Sequence, residues 1–485
     1  MTIVETGRKA GITSEGLVGE LARFMLEGVP TNPDWCENLA ICLVGIASAC
    51  GKGDIREIRN AFGSVRGNIF TIYIGASRLG FKTIPLKTVV RPMLKELTTL
   101  HNREMCLEYG ITTQEFDRRY GDAQRATTKE RNTKEWKLEK TFLNKISGNM
   151  VNYEMPESFT SEYLTSWLMT HPNGMICSDE FTSMFKGASK KDYMSNVMEV
   201  LSRLYDGEIE KKGTISRGIE DVGAVHVSFA SATTPYIMTL MDDNFFWQGT
   251  GNRILWIVDE SIEKIDEKEA ENFISFFWPP ETSQGWKNEF DRLLGLLSNI
   301  RNLPGGQMTL SFGAGAMLNK YRIEKYNKAV ALSEEDMMNR DSSFIAGLAQ
   351  NAMKLALVHA IGRFAVDPDA IFFGMLEIDE RDTEWAINKV ERHMQYYHRL
   401  WELASRVRKG TIPDYKTDQE RVIYTIRKLE ETGRQLTANV LRQQTGWMKD
   451  NCQELLDTMV MNGDIRLVQK NIIGKTISYY TTKGA

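Results

Sequence analysis

Cysteine and histidine are scarce in this chain, with six of each among 485 residues. Cys36, Cys42, Cys50, Cys106, Cys177 and Cys452 are scattered, and no CxxC pair occurs. That spacing argues against a zinc ribbon or a disulfide framework and suits a reducing compartment. Long apolar runs are missing too. No stretch of 18 apolar residues exists, so no transmembrane helix is expected. The run at 39–49 is too short to span a bilayer and lies too late for a signal peptide. The expectation is therefore a cytoplasmic protein without a membrane partner. Internal repeats and low-complexity tracts are absent. A dominant charge of one sign is absent as well: 60 basic against 64 acidic residues leave −4, which excludes a strongly basic nucleic-acid coat. The charge is uneven, however. Residues 87–145 carry 13 Lys/Arg against 9 Asp/Glu, and residues 259–271 carry 7 acids against 2 lysines, which leaves room for a local basic surface.

What remains is a globular composition, 42% apolar and 26% charged, with length for about three domains. Residues 1–65 read as an N-terminal helical segment: Leu17, Leu21, Phe24 and Met25 recur at helical spacing, and a second helix runs from Trp35 towards Gly51. Four short apolar runs follow, at 67–75, 174–178, 222–230 and 254–258, separated by helical stretches. That pattern predicts a parallel α/β sheet with helices on both faces and ligands at the C-terminal ends of its strands. The polar, charged stretch 95–150 reads as a helical insertion within a core of 66–284. Residues 285–400 return to helices, with Phe344, Leu348, Ala352, Leu355 and Val358 on one stripe. Residues 401–416 read as a linker around Gly410 and Pro413. Residues 417–485 read as three short helices and a hairpin at 463–468 and 476–481, the pattern of a winged helix.

Four motifs carry chemistry. Gly75-Ala-Ser-Arg-Leu-Gly80-Phe-Lys82-Thr83 follows a strand as a phosphate-binding loop does, with a lysine for the β/γ oxygens and a hydroxyl for magnesium. It is one residue longer than the strict pattern, because Phe81 separates the glycine from Lys82. It also reads as a plain basic strand–helix turn. Asp179-Glu180 tip the second strand, where one acid would hold hydrated magnesium and the other polarise water. Ser231-Ala-Thr233-Thr234-Pro235 end the third strand with hydroxyls that could position water or sense phosphate. Gly249-Thr-Gly251-Asn-Arg253 enters the fourth strand with an arginine that reads either as a surface ion pair or as a finger reaching a neighbouring subunit.

In order and wording these motifs resemble the AAA+ module of minichromosome-maintenance helicases. They resemble more closely the related helicase-like domain of phage, plasmid and mobile-element replication proteins. Gly174-Met-Ile-Cys-Ser-Asp-Glu-Phe-Thr-Ser-Met184 is similar to that family's acid-tipped strand. Thr214-Ile-Ser-Arg217-Gly-Ile219 is similar to the hairpin that carries a basic residue into the ring channel. The resemblance spans roughly residues 30–400. It implies an AAA+ P-loop core, a helical lid and a homo-oligomeric, hexameric ring that hydrolyses ATP with Mg2+ between subunits and unwinds single-stranded or forked DNA, with a primase or polymerase as a further partner. Gly75, Gly80, Lys82 and Thr83 would hold nucleotide, and Thr83 and Asp179 the metal. Glu180 and Thr234 would act in cis and Arg253 in trans. Arg217, Lys211 and Lys212 would contact DNA. Arg340 and Lys354 compete for the lid cation. Against the family pattern, Thr234 stands where asparagine is usual, and the length and cysteines for an N-terminal zinc-bearing domain are missing. The rival expectation is a non-motor replication initiator or scaffold with a degenerate nucleotide site.

Overall fold

A computed structural model describes residues 11–27, 29, 31–49, 56–60, 63–76, 81–157, 159, 161–182, 192–207, 212–214, 218–220, 224–241, 249–259, 283–335, 340–370, 376–411, 418–431, 435–438, 440, 449–472 and 475–482. The chain divides into two units, residues 1–403 and 404–485.

The first unit is α/β. Its centre is a sheet of five strands: β1 (Phe70–Gly75), β2 (Glu154–Met155), β3 (Asn173–Ser178), β4 (His226–Thr233) and β5 (Ile254–Asp259). Their order across the sheet is β2-β3-β4-β1-β5, and every pairing is parallel. β1 and β4 are buried along their whole length. This is why β1 reads as a continuous apolar, β-branched run and not as an alternating one, whereas β4 also buries His226, Ser228, Ser231 and Thr233. The register sets Ile74 beside Thr233 and Gly75 beside Asp259, so the C-terminal ends of β1, β4 and β5 lie together.

Helices pack around the sheet. α1 (Gly16–Met25) leads into α2 (Pro33–Ala49), which is buried on nearly every side and packs against β3 and β4. From Leu39 to Ala49 α2 is apolar nearly all round, the signature of a core helix and not of a surface one, while Asp34, Glu37 and Asn38 in its first turns are buried with it. The 1–65 segment is therefore part of the core, and it is not wholly helical. Glu57–Asn60 pairs antiparallel with Gly63–Arg66, burying Ile58 and Val65. Arg56, just before this ribbon, is buried and donates to the carbonyls of Ser48 (2.6 Å) and Ile300 (2.9 Å). It thereby satisfies orphan acceptors at the C-terminal ends of two helices.

After β1 the chain passes through a π-helical turn, Leu86–Val90, into α3 (Arg91–Glu108). The expected insertion is helical: α4 (Thr113–Arg125), a turn at Thr128–Arg131 and α5 (Lys134–Ser147). Thr112, Thr127 and Thr133 cap these three in succession, each accepting from the backbone amide three residues on. The insertion has its own small core of Cys106, Ile111, Phe116, Leu143 and Ile146.

Further on lie α6 (Asp192–Asp206), α7 (Gln284–Ile300), the helix Phe312–Glu335, α8 (Arg340–Val366) and α9 (Glu380–Thr411). Within α8, Asp341–Val366 is long and apolar enough to cross a membrane, and 78% of its apolar window is buried in the protein. An unbroken-run criterion misses it because Asn351 and Lys354 interrupt the sequence. α9 also corrects the expected 401–416 linker, since helix continues through 411. Gly410 falls in the last turn, where a helix tolerates glycine.

The second unit holds the helices Asp418–Glu431 and Lys449–Met461 and an antiparallel pair, Arg466–Ile472 with Lys475–Thr481. Val422, Ile426, Leu456, Met459, Ile465 and Tyr480 form its core. The backbone N–H of Tyr480 donates to the Leu436 carbonyl at 2.8 Å, adding a short outer bridge to the pair.

Candidate nucleotide site at the strand ends

Three strand termini converge on one polar cluster. Lys82 follows β1 and is 9% exposed. Its Nζ donates to the Gly75 carbonyl at the end of β1 (3.1 Å) and to the Thr233 carbonyl at the end of β4 (2.6 Å). Burial pushes the lysine pKa down, and the nearby Glu180 carboxylate pulls the other way without cancelling it. Glu180 follows β3. Its Oε1 accepts from the Thr233 hydroxyl (2.9 Å) and from the Thr182 backbone N–H (3.1 Å). Because the single Thr233 proton is committed to Glu180, the 2.6 Å contact between the two threonine hydroxyls has Thr182 as donor. One threonine thus binds the lysine through its carbonyl and the carboxylate through its side chain.

Thr234 does not share this arrangement. It precedes the 3-10 turn Pro235–Thr239 and its side chain makes no capping hydrogen bond. Thr234, where the role was expected, lies just past the end of β4, and it is the Thr233 hydroxyl, one residue earlier, that meets Glu180.

Phe81 has φ +44°, the only left-handed non-glycine among the described residues. A phosphate loop places glycine immediately before its lysine, and this chain has adopted a glycine-like backbone there with a bulky residue. The left-handed region costs an L-residue roughly 1–2 kcal/mol. Gly80 lies outside the described residues.

Asp179 sits beside Glu180 but faces cations. Lys87 Nζ reaches its Oδ2 at 2.7 Å and Arg91 Nη2 its Oδ1 at 3.2 Å. Arg91 also donates to the Cys177 carbonyl at 3.1 Å and pairs with Glu157. Lys87 is one helical turn beyond Thr83, its N–H bonded to the Thr83 carbonyl, so Lys87 links the turn that carries Thr83 to Asp179. A hydroxyl and a carboxylate are the hard oxygen donors that magnesium takes alongside substrate phosphates and water. The donor chemistry fits Mg2+, provided the half-exposed Lys87 gives up the Asp179 oxygen it holds.

A second layer ties this corner to distant helices. Trp35 Nε1, on α2, donates to the Lys82 carbonyl at 2.9 Å, and the Trp35 ring packs on Tyr73 of β1. Next to it, Asp34 accepts from Lys389 (2.7 Å), Arg392 (2.8 Å) and Tyr396 (2.8 Å), all on α9. Burial alone would raise the Asp34 pKa; Lys389 and Arg392 more than offset it and hold the group ionised, well below the usual carboxylate range. Arg392, partly exposed, is a guanidinium held by Asp34, the neighbour of Trp35, that sequence reading missed. Its only signal was a basic residue on a helix, which is common.

Arg253 is elsewhere. It ends the 3-10 turn entering β5, where Ile254 pairs with Phe70 at the N-terminal end of β1. Five residues of strand, about 17 Å, separate that end from Gly75, so Arg253 does not meet Lys82 of its own chain. Its guanidinium donates to Asp206 (2.9 Å) and to the Gly249 carbonyl (3.0 Å). Lys354 lies at the same end. It is fully buried, its Nζ donates to Asn68 Oδ1 (3.0 Å) and the Tyr205 carbonyl (2.6 Å), and it sits 3.6 Å from the Tyr205 ring centre. Burial pushes its pKa down to about 7. Lys354 is thereby removed from the lid-cation role; the side chain of Arg340 lies outside the described ones.

The expected hairpin exists as backbone: Lys212–Thr214 pairs antiparallel with Gly218–Glu220. Lys211 and Arg217 lie outside the described residues, as does the Lys212 side chain. Set against models of known protein families and against curated proteins, the chain finds no match in either.

Proposed function

We propose that this chain is an ATP-driven DNA helicase or translocase of the AAA+ class, related to the minichromosome-maintenance type and working as a ring of identical subunits. The observation that carries the reading is the convergence of Lys82, Thr233 and Glu180 at neighbouring strand ends, with Asp179 linked through Lys87 to the turn that carries Thr83. An ammonium, a carboxylate held by a hydroxyl and a metal-compatible pair are the parts needed for attack of water on a γ-phosphate. In this reading Lys82 neutralises phosphate oxygens and Glu180 takes the proton from the attacking water. Thr233 keeps that carboxylate aimed. Mg2+, held by Thr83 and Asp179, supplies charge neutralisation when bound. The position of Arg253 at the opposite end of the sheet supports its use in trans, on the nucleotide of an adjoining subunit. The helices of 285–400 then serve as lid, and the 212–220 hairpin presents Arg217, Lys211 and Lys212 to DNA in the channel. The 417–485 unit acts as a winged helix that binds DNA or a partner such as a primase or polymerase, and the protein works in the cytoplasm.

A second reading keeps a specific observation on its side. Two of the three Lys82 N–H donors are taken by carbonyls and Phe81 occupies the position of a glycine, which suits an initiator or scaffold that binds nucleotide poorly. A DNA-dependent ATPase assay separates the two. Hydrolysis stimulated by single-stranded DNA and lost in Lys82→Ala supports the motor; no hydrolysis by pure, folded protein supports the scaffold.

A further inference from the structure

We propose that the outward face of α5 is a docking surface for a single-stranded nucleic-acid backbone, separate from the 212–220 hairpin. The choice of nucleic acid as partner rests on the motor reading; the surface itself does not.

The argument starts from the helix. α5 turns Phe142, Leu143 and Ile146 towards Phe116, Ile111 and Cys106 of the insertion core. At 100° per residue, the opposite side carries Lys134, Lys137, Thr141 and Lys145, with Leu138 and Asn144 beside them. All six are exposed, Leu138 at 63%. No acid shares that arc: Glu135 is about 100° round from Lys134, and Glu139 faces α4.

The acids of the insertion are mostly engaged. Both oxygens of Glu139 accept from Arg119 (2.7 and 2.8 Å), and Glu115 accepts from Arg119 as well (3.1 Å). Asp122 pairs with Arg125 at 3.1 Å, and Glu130 is taken up in the capping box with Thr127. Lys134, Lys137 and Lys145 of the outer arc have no ion-pair partner among the described residues, so the field leaving this face is positive. Two lysines are also steered by aromatic rings: Lys145 lies 5.6 Å from the Tyr109 ring centre, and Lys140, on the flank, 4.8 Å from Trp136.

The chemistry of the stripe fits a phosphate backbone. Lysines are point charges on flexible stems, suited to contacts that ignore base sequence. From Lys134 to Lys145 the helix rises about 16 Å, the length of roughly five nucleotides. The surface is also mechanically placed. α3 runs unbroken from Arg91, which holds Asp179, to Cys106 in the insertion core. A strand docked on α5 would be joined to the nucleotide corner by one helix.

The test is fluorescence anisotropy of fluorescein-labelled oligothymidylate titrated with the full chain over a range of KCl. The variant is Lys134→Gln/Lys137→Gln/Lys145→Gln. Each single-strand phosphate contact contributes about 0.7 to the salt slope, so the slope should fall by about 2 and affinity at 0.1 M salt roughly tenfold or more. A control variant, Lys287→Gln/Lys320→Gln/Lys328→Gln, removes three exposed lysines from other helices and should keep both values. A thermal melt shows that each variant is folded. A triple α5 variant that binds with wild-type slope and affinity overturns the proposal, and so does wild-type protein that binds no oligonucleotide. DNA-stimulated ATPase with unchanged binding in the variant removes this surface alone. Loss of binding in the variant without any ATPase in the wild type removes the motor and leaves the surface.

Discussion

The Lys82 ammonium and the Thr233 carbonyl lie 2.6 Å apart, and the hydroxyl of the same threonine holds Glu180 at 2.9 Å. Drawing Lys82 towards a phosphate would loosen one side of Thr233 while its other side fixes the carboxylate. Thr233→Val removes the hydroxyl at nearly constant volume and should cut ATP turnover at least tenfold, whereas Thr233→Ser should restore most of it. Thr234→Val should change the rate less than twofold. Steady-state ATPase assays compare the three, and an equal loss at both threonines would return the role to Thr234.

Glu180→Gln should abolish turnover, by a factor on the order of a hundred or more, because an amide cannot accept the proton from water. Nucleotide affinity should survive, read by a fluorescent ATP analogue. Lys82→Ala should weaken that affinity directly. Wild-type turnover in Glu180→Gln would sink the assignment.

Arg253→Ala protein should assemble and hydrolyse slowly. Mixed with Glu180→Gln protein, it should regain activity, since some interfaces then join an intact carboxylate to an intact guanidinium. No regain despite demonstrated subunit exchange would leave Arg253 as the partner of Asp206 and nothing more.

Two buried bases make stability depend on pH in a defined direction. Lys354 is pushed from the ordinary lysine value of 10.5 down to about 7. Between those limits the unfolded chain holds a proton that the native one does not, so native stability rises as pH climbs from 7. His226, whose ring nitrogens have no hydrogen-bond partner among the described residues, is pushed to about 3 by burial and by Lys354 and Arg66. The unfolded chain therefore gains a proton first on acidification, and stability falls as pH drops from 6.5. Urea midpoints across pH 4–9 should show both limbs. Lys354→Met should flatten the alkaline limb and His226→Asn the acid one; unchanged limbs in these variants would contradict the burial argument.

β1 and β5 were legible in the sequence because strands buried on both faces are written as nearly unbroken apolar runs, and β3 and β4 because each still carries a short apolar stretch. β2 was not, since two residues, Glu154 and Met155, leave no pattern, and the ribbon at 57–66 is nearly as short. At the site, Lys82, Asp179 and Glu180 were visible because each follows a strong strand signal. The choice between Thr233 and Thr234 was not, because a one-residue difference in register exchanges the two faces. Trp35 and Arg392 could not be read either. Their link to the loop exists only through hydrogen bonds that span 47 residues, from Trp35 to Lys82, and more than 300, from Arg392 to Asp34.

The separation of Lys82 and Arg253 by the length of the sheet gives the chain a head and a tail. A twofold dimer would bring like ends together and complete no head-to-tail contact. If the two ends do meet, assembly is directional, and a ring that takes in one copy lacking Arg253 closes with one interface unable to hydrolyse. Substoichiometric Arg253→Ala protein should then poison wild-type assemblies in proportion to the number of subunits that each ring contains, which turns a titration of inhibition into a count of the ring.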